Sequence, residues 1–164
     1  MPNKKNISKV AIVMGSQSDY STMRYSSKVL KILKIKYELK IVSAHRTPTR
    51  MYDFAKKAEK NNISVIIAGA GGSAHLPGMI ASLTSIPVLG VPVESKKLKG
   101  LDSLLSVVQM PKGIPVGTFA IGKDGAINAA LFAASVISKS DSKVKKELTL
   151  WRKHQTRSVK TKPR

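Results

Sequence analysis

A histidine and an arginine stand next to each other at His45 and Arg46, in the segment SAHRTP that begins at Ser43. An imidazole transfers protons near neutral pH, and a guanidinium binds a phosphate through two parallel hydrogen bonds. Because a positive side chain opposes the dipole at the start of a helix, Arg46 favours an anionic ligand at that position. A surface or capping histidine is the alternative at His45, and its arginine neighbour argues against that alternative.

A second polar group, which contains Gly15, Ser16, Ser18 and Asp19, follows the apolar run VAIVM at residues 10–14. Gly15 permits a tight turn, and serine hydroxyls beside the free N–H groups of a helix start suit a phosphate or a ribose. The Asp19 carboxylate repels anions, so it fits ribose hydroxyls or an amino group better than a phosphate. The alternative is that Ser18 or Asp19 only caps the helix. The chain contains no GxGxxG fingerprint and no Walker loop.

A third group lies in the glycine-rich segment after the apolar residues SVIIA, where three glycines stand within four positions. Glycine lets the backbone approach a ligand closely, so we expect a wall of the site that offers N–H groups to a carboxylate or a CO2-like species. A flexible connector is the alternative, although a plain connector rarely runs into a histidine and a proline. The segment runs from Ala68 through Gly71, Gly72 and Ser73 to Gly78.

The elements that must position these groups alternate between strand and helix. Apolar runs predict strands at residues 10–14, 37–42, 64–68, 87–91 and 116–119. Helical patterns predict helices at 20–33, 47–60, 75–83, 101–110, 124–138 and 143–153, with a glycine-rich turn at 69–73. This alternation predicts a single α/β domain, a three-layer sandwich with a doubly wound parallel sheet of the flavodoxin-like or Rossmann-like type. Ligands bind at the carboxyl ends of the strands in such sheets, so the loops after the first three strands form the candidate site.

The domain is expected to cover residues 1–154, including the last helix, and to be followed by a basic, frayed tail over residues 155–164. Within it, the helix at 124–138 has one small, apolar face, and helical spacing lets such a face pack closely on another helix. We therefore expect a homo-oligomer, whereas the alternative is that this face packs on its own sheet. The residues of the face are Ala126, Ala129, Ala130, Ala133, Ala134 and Ile137.

The composition excludes several classes of site. No cysteine occurs in 164 residues, which removes disulfides, thiolate zinc sites and cysteine nucleophiles. The three histidines are scattered without metal-ligand spacing, so we expect no metal. The polar start MPNKKNISK and the lack of a long apolar run predict a cytoplasmic protein without a signal peptide or membrane contact. The net charge of +20 suits nucleic acid, but no aromatic residues interleave with the basic ones, so we expect no obligatory nucleic acid partner.

Five segments in a fixed order resemble one family: VAIVMGSQSD, VSAHRTP, VIIAGAGGSAHLPGM, PVLGVPV and QMPKGIPVGTFAIG. They cover most of residues 10–138, and WRK at 151–153 also resembles the final helix of that family. On these segments the chain is similar to the bacterial-type N5-carboxyaminoimidazole ribonucleotide mutases, the class I phosphoribosylaminoimidazole carboxylase catalytic subunit family. The resemblance implies a cytoplasmic enzyme of purine biosynthesis with a three-layer α/β fold, a homo-octameric assembly with shared sites, and no cofactor.

The resemblance also implies roles for residues. It makes His45 the catalytic histidine and gives substrate contacts to Ser16, Asp19, Ser43 and Arg46, with the phosphate near Arg46 and the ribose near Asp19. The stretch from Ala70 to Ser73, together with His75 and Leu76, then surrounds the base and the migrating carboxylate. The carbamate loses CO2, carbon 4 of the imidazole attacks the trapped molecule, and His45 moves the proton. Two departures from the family pattern are Ser73, where a small alanine is expected, and the unusually basic surface.

Two rival functions remain open at this stage. The nearest is a carboxylase that adds free CO2 to aminoimidazole ribonucleotide. The other, of a different class, is a nucleotide-binding or RNA-binding module, whose binding would depend steeply on salt. A binding module has no need of a proton carrier at His45.

Overall fold

The computed structural model describes residues 8–163, and the polar N-terminal segment through residue 7 and the final residue lie outside the described part. The strands are β1 (Lys9–Met14), β2 (Tyr37–Ile41), β3 (Ile63–Gly71), β4 (Val88–Val93) and β5 (Gly117–Thr118). The helices are α1 (Tyr20–Ile32), α2 (Pro48–Lys57), α3 (Leu76–Ala81), α4 (Leu101–Val108), α5 (Gly122–Ile137) and α6 (Ser142–Ser158), and a 3-10 turn at Gln17–Asp19 precedes α1.

The five strands form one parallel sheet in the order β2-β1-β3-β4-β5, which is the flavodoxin-like arrangement. Successive side chains of a strand point to opposite faces of the sheet. Val10 and Ile12 of β1 therefore pack in the core with α1, α5 and α6, whereas Ala11 and Val13 pack in the core with α2, α3 and α4. This arrangement confirms the predicted single-domain, three-layer α/β fold.

The glycine-rich segment differs from the turn predicted at residues 69–73. Strand β3 continues through Gly69 and Ala70 to Gly71, which is paired with Val93 of β4. A β-carbon on Gly69 would lie 2.2 Å from the sulfur of the buried Met23 in α1, so a larger residue here would force that side chain to move. The turn is confined to Gly72 and the residues after it. Gly72 has a φ of +67°, a conformation that glycine adopts without strain.

The alanine-rich face of α5 is occupied within the subunit. Its five alanines are 0% exposed and Ile137 is 4% exposed, and they pack in the core that α5 shares with α1, β3 and β4. The Ser26 hydroxyl of α1 donates a hydrogen bond to the Ala126 carbonyl over 2.7 Å, which ties the two helices together. Of the two alternatives for this face, packing on its own subunit is correct, so the face is not evidence for assembly.

The last helix is longer than expected. The Asp141 carboxylate accepts hydrogen bonds from the backbone N–H groups of Lys143 and Val144, at 2.9 and 3.2 Å, and so caps the start of α6. Val144 and Leu148 anchor the first half of the helix in the core, and the helix continues to Ser158. Residues 155–158 are therefore helical where fraying was expected, and a domain boundary at residue 154 stays a prediction.

Candidate active site

The three candidate loops meet at one edge of the sheet. Strand β1 lies between β2 and β3, and all three run parallel, so the loops that follow Met14, Ile41 and Gly71 leave the sheet side by side. The chain moves along the sheet in one direction from β1 to β2 and in the opposite direction from β2 to β3, and such a reversal of strand order opens a crevice at the carboxyl ends of the strands. The fold therefore brings together the residues that the sequence analysis selected.

In the first loop, Asp19 organises the turn. Its Oδ2 accepts hydrogen bonds from the Ser16 backbone N–H at 2.9 Å and from the Ser16 hydroxyl at 3.3 Å, and the Ser16 and Ser18 hydroxyls bond to each other. Asp19 stands at the N-cap position of α1, but its side chain makes no capping hydrogen bond to that helix and instead forms a capping box with Ser16 in the 3-10 turn. Burial raises the pKa of the Asp19 carboxyl, while its hydrogen bonds from Ser16 and the positive charge of Arg46 oppose that shift. Asp19 is buried, whereas Ser16 and Ser18 remain open to solvent.

In the second loop, Arg46 is held against the first loop. Its Nη2 donates to the Gly15 carbonyl at 3.0 Å, and its Nε and backbone N–H donate to the Ser43 hydroxyl at 3.4 and 3.3 Å. The Thr47 hydroxyl closes the turn by accepting from the Ser43 N–H at 2.9 Å. Ser43 is only 8% exposed, whereas the Arg46 side chain is exposed. The guanidinium is therefore oriented before any ligand binds, and it retains N–H groups for an anion.

The second and third loops meet through two histidines. Nε2 of His45 lies 2.9 Å from Nδ1 of His75, and the rings are perpendicular, with their centroids 5.0 Å apart. Both side chains are exposed. One nitrogen must carry the proton and the other must be free, so this contact holds a transferable proton between the two rings. The sequence analysis selected both residues but did not predict that they touch.

The glycine-rich loop presents backbone rather than side chains. Gly71 and Ser73 are exposed and Gly72 is partly exposed, whereas Ala70 is 6% and Leu76 2% exposed, with both side chains in the core of the domain. Any ligand contact of Ala70 or Leu76 therefore uses the main chain. The structure shows where the candidate binding residues lie, and their contacts with a substrate stay a prediction.

Two serines of α4 also contact this loop, and the sequence analysis missed both. The Ser103 hydroxyl accepts a hydrogen bond from the Gly72 N–H at 2.9 Å, and the Ser106 hydroxyl lies 3.3 Å from the Gly72 carbonyl. Serine in a helix usually bonds its own backbone or solvent, so no local signal distinguishes these two. They lie more than thirty residues from Gly72 in the chain, and only the fold brings them to it.

Comparison with known proteins places the chain in a family. The family model described as AIR carboxylase matches residues 9–158. The chain belongs to the AIR carboxylase family. An N5-carboxyaminoimidazole ribonucleotide mutase of Escherichia coli K12 is 55% identical over 163 residues, which is 99% of this chain and 96% of that protein. Another of the same name, from Brucella melitensis, is 58% identical over 154 residues, covering 94% of this chain and 95% of that protein.

A solved member of this family has the same architecture. The crystal structure of Treponema denticola PurE superimposes with a TM-score of 0.81, at 27% identity, over 90% of this chain and 91% of that one. Within residues 8–163, no helix has the length and apolar character needed to cross a membrane. The same residues contain no group of three or more His, Asp or Glu side chains arranged to hold a metal ion.

Proposed function

We propose that this protein converts N5-carboxyaminoimidazole ribonucleotide to 4-carboxy-5-aminoimidazole ribonucleotide in the de novo synthesis of purine nucleotides. It is then an isomerase, a mutase that moves a carboxyl group within one molecule. The observation that carries the proposal is the His45–His75 hydrogen bond beside Arg46, a proton carrier next to a preoriented guanidinium. The mutases of Escherichia coli and Brucella melitensis, at 55% and 58% identity, support the same reaction.

The proposed substrate lies across the three loops. Its phosphate binds the Arg46 guanidinium and the Ser16, Ser18 and Ser43 hydroxyls, which are grouped at the ends of β1 and β2. Its ribose hydroxyls contact Asp19, and its base and carbamate lie against the loop from Ala70 to Ser73, near His75 and Leu76. This order follows from charge, because the guanidinium is the natural partner of the phosphate.

The proposed chemistry breaks one bond and forms another. The N–C bond of the carbamate breaks, CO2 leaves, and the nitrogen keeps the electron pair and takes a proton. Carbon 4 of the imidazole then gives an electron pair to the trapped CO2 to form the C–C bond and loses its proton. His45 accepts that proton and returns one to the amine, so no net proton is gained or lost. The proposal includes no metal and no organic cofactor.

The rival carboxylase differs in where the carboxyl group originates. Trapping one CO2 beside the base keeps its effective concentration very high, whereas a carboxylase takes CO2 from solution. The test is turnover of unlabelled N5-carboxyaminoimidazole ribonucleotide in 13C-bicarbonate, with mass analysis of the product at initial rates. We expect product without label. Label at the enrichment of the bicarbonate would replace the mutase with the carboxylase.

The binding-module alternative is tested with the same preparation. A mutase produces the 4-carboxy isomer at a rate proportional to enzyme concentration, which absorbance records directly. A protein that gives no isomer but binds single-stranded RNA, with an affinity that falls steeply with salt, would be the binding module instead.

We further propose that the protein acts in the cytoplasm as a homo-octamer. On α4, Leu101, Leu105 and Val108 follow helical spacing and are 53%, 52% and 47% exposed. An apolar groove of about 480 Å³ between α2 and α3 is lined in part by the exposed Tyr52 and Met79. Exposed apolar stripes of this kind suit subunit contacts. Light scattering at micromolar concentration should give the octamer mass, and a stable monomer would refute the assembly.

A further inference from the structure

Ser103 of α4 is a completely buried hydroxyl with two backbone partners. It is 0% exposed, accepts from the Gly72 N–H at 2.9 Å and donates to the Val93 carbonyl at 2.7 Å. Its donor and one acceptor position are therefore both used, as a buried hydroxyl requires. Neither partner belongs to its own helix, so the hydroxyl joins three separate elements of the structure.

The two partners mark the point where β3 and β4 separate. The strands are paired as far as Gly71 and Val93, and Gly72 is the first residue beyond that pair. There the Ser103 hydroxyl lies between the two strands, in the place of a direct backbone hydrogen bond of the sheet. Because a side-chain oxygen bridges the N–H and the carbonyl, the strands can diverge without leaving either group unsatisfied. Gly72 turns away from the sheet here, with its φ of +67°.

From Gly72 the chain reaches His75 through two very tight turns. The Ala74 N–H donates to the Gly72 carbonyl at 2.8 Å, and the His75 N–H donates to the Ser73 carbonyl at 2.8 Å. Turns of three residues leave little freedom between their ends. His75 in turn contacts His45. These hydrogen bonds, together with the short backbone between them, therefore link the buried Ser103 to His45, the proton carrier of the site.

We propose that Ser103 is a positioning residue: its hydroxyl fixes the Gly72 peptide, and the two turns after Gly72 then hold His75 against His45 and keep the glycine-rich loop closed over the base. This inference rests on the proposed mutase function. Ser103 lies beneath the loop and touches no substrate, so its effect is on geometry. Without the hydroxyl, the Gly72 N–H loses its acceptor on α4 and the loop keeps the longer contact of Ser106 with the Gly72 carbonyl at 3.3 Å, so CO2 released from the carbamate escapes more often before carbon 4 captures it.

The loss of this hydroxyl should change both the rate and the partition of the released CO2 between capture by carbon 4 and escape. Each escape leaves free aminoimidazole ribonucleotide and CO2 in place of the carboxylated product. Because small displacements of a catalytic group have large effects on rate, Ser103→Ala should lower kcat about tenfold and leave KM within about twofold. The fraction of substrate that ends as aminoimidazole ribonucleotide, after subtraction of uncatalysed decay, should rise in the same variant.

The matched control is Ser26→Ala. Ser26 is also 0% exposed, and its hydroxyl also donates to a backbone carbonyl at 2.7 Å, but it joins α1 to α5 away from the loops. Both variants therefore lose one buried hydroxyl, and only Ser103→Ala should change kcat and the partition. Hydrogen exchange followed by mass spectrometry provides a readout without substrate: exchange in the peptide containing Gly72 should accelerate in Ser103→Ala and not in Ser26→Ala.

The outcomes separate this inference from the function on which it rests. If the parent forms the isomer but Ser103→Ala matches Ser26→Ala in kcat, partition and exchange, the positioning role is overturned. If the parent forms no isomer, the proposed function fails, and faster exchange at Gly72 would still show that Ser103 anchors the loop. If Ser103→Ala does not fold, Ser103→Cys is the second variant, because its thiol keeps the shape of the side chain but is a weak donor and a weak acceptor. A lower kcat and more escape of CO2 in Ser103→Cys would support the positioning role, and parent values of both would overturn it.

Discussion

His45 and His75 lie thirty residues apart in the chain, yet Nε2 of the first ring is 2.9 Å from Nδ1 of the second. The hydrogen bond exists only while one of these two nitrogens is free of a proton, because a fully protonated imidazole offers donors alone. The contact therefore allows proton exchange between His45 and His75, and in the proposed function His45 also exchanges a proton with the substrate. The two rings are perpendicular, and both side chains are exposed.

His45→Asn should fold like the parent and lose nearly all turnover, because the amide cannot carry the proton to and from carbon 4. General acid–base catalysis contributes about 10²–10⁴-fold to rate, and a loss in that range is expected in kcat. The control is His154→Asn, the same substitution at an exposed histidine of α6. A His45 variant with more than about a tenth of the parent activity would exclude this residue as the proton carrier.

Arg46→Ala should raise KM for the nucleotide strongly. A charge-assisted hydrogen bond contributes about 1.5–3 kcal/mol, which corresponds to roughly 10- to 150-fold in affinity. The control is Arg50→Ala, since Arg50 is an exposed arginine of α2 whose Nη1 donates to the Ile41 carbonyl at 3.5 Å. Binding of the dephosphorylated nucleoside should change little in Arg46→Ala. Equal losses for nucleoside and nucleotide would disprove the phosphate contact.

Asp19→Asn should alter how stability depends on pH. Burial raises the pKa of Asp19 above the ordinary 3.8, so the native state holds a proton that the unfolded state releases. The contribution of this group is full below 3.8 and is lost as pH rises through the folded pKa. The Asn variant has no charge to bury, so its free energy of unfolding should increase relative to that of the parent as pH rises through this range.

Urea denaturation at closely spaced pH values above 3.8 measures the Asp19 effect. The exposed Asp53 of α2 offers the control substitution, Asp53→Asn. A stability difference between the parent and Asp19→Asn that stays constant across the range would contradict the raised pKa.

Glu38→Gln should destabilise the protein at neutral pH and not in acid. Burial acts to raise the pKa of Glu38, but the ammonium groups of Lys9 and Lys40, at 2.6 and 3.0 Å, outweigh it and lower the pKa below 4.5. The stabilisation is therefore present above pH 4.5 and is lost as pH falls through the folded pKa. Since the pairs are partly exposed, we expect at most about 1 kcal/mol.

Thermal unfolding at neutral pH and in acid tests the Glu38 prediction, with the exposed Glu94→Gln as the control. The variant should have a lower Tm than the parent at neutral pH, and the two should converge in acid. A difference that persists unchanged in acid would assign the effect to packing instead of charge.

Much of the fold was determined by local pattern. The apolar runs before Gly15 and Gly69 and the Thr47-Pro48 helix start specify strands and helices through side-chain periodicity and backbone geometry, which neighbouring residues set. The parallel sheet follows, since alternating strands and helices leave few other arrangements. For the same reason the sequence identified the ends of β1, β2 and β3 as the place of the site.

Only the tertiary structure decided how those residues meet. A run of small residues at Gly69 allows either a turn or a strand, and the pairing of Gly69 and Gly71 with Val91 and Val93 of β4 makes it a strand. The alanine face of α5 has an apolar pattern, but a pattern does not name the partner that covers it. Contacts such as His45 with His75, and Ser103 with Gly72, join residues about thirty positions apart, and their geometry depends on the register of strands and the packing of helices. Those are set by the whole core, so no local stretch of sequence contains them.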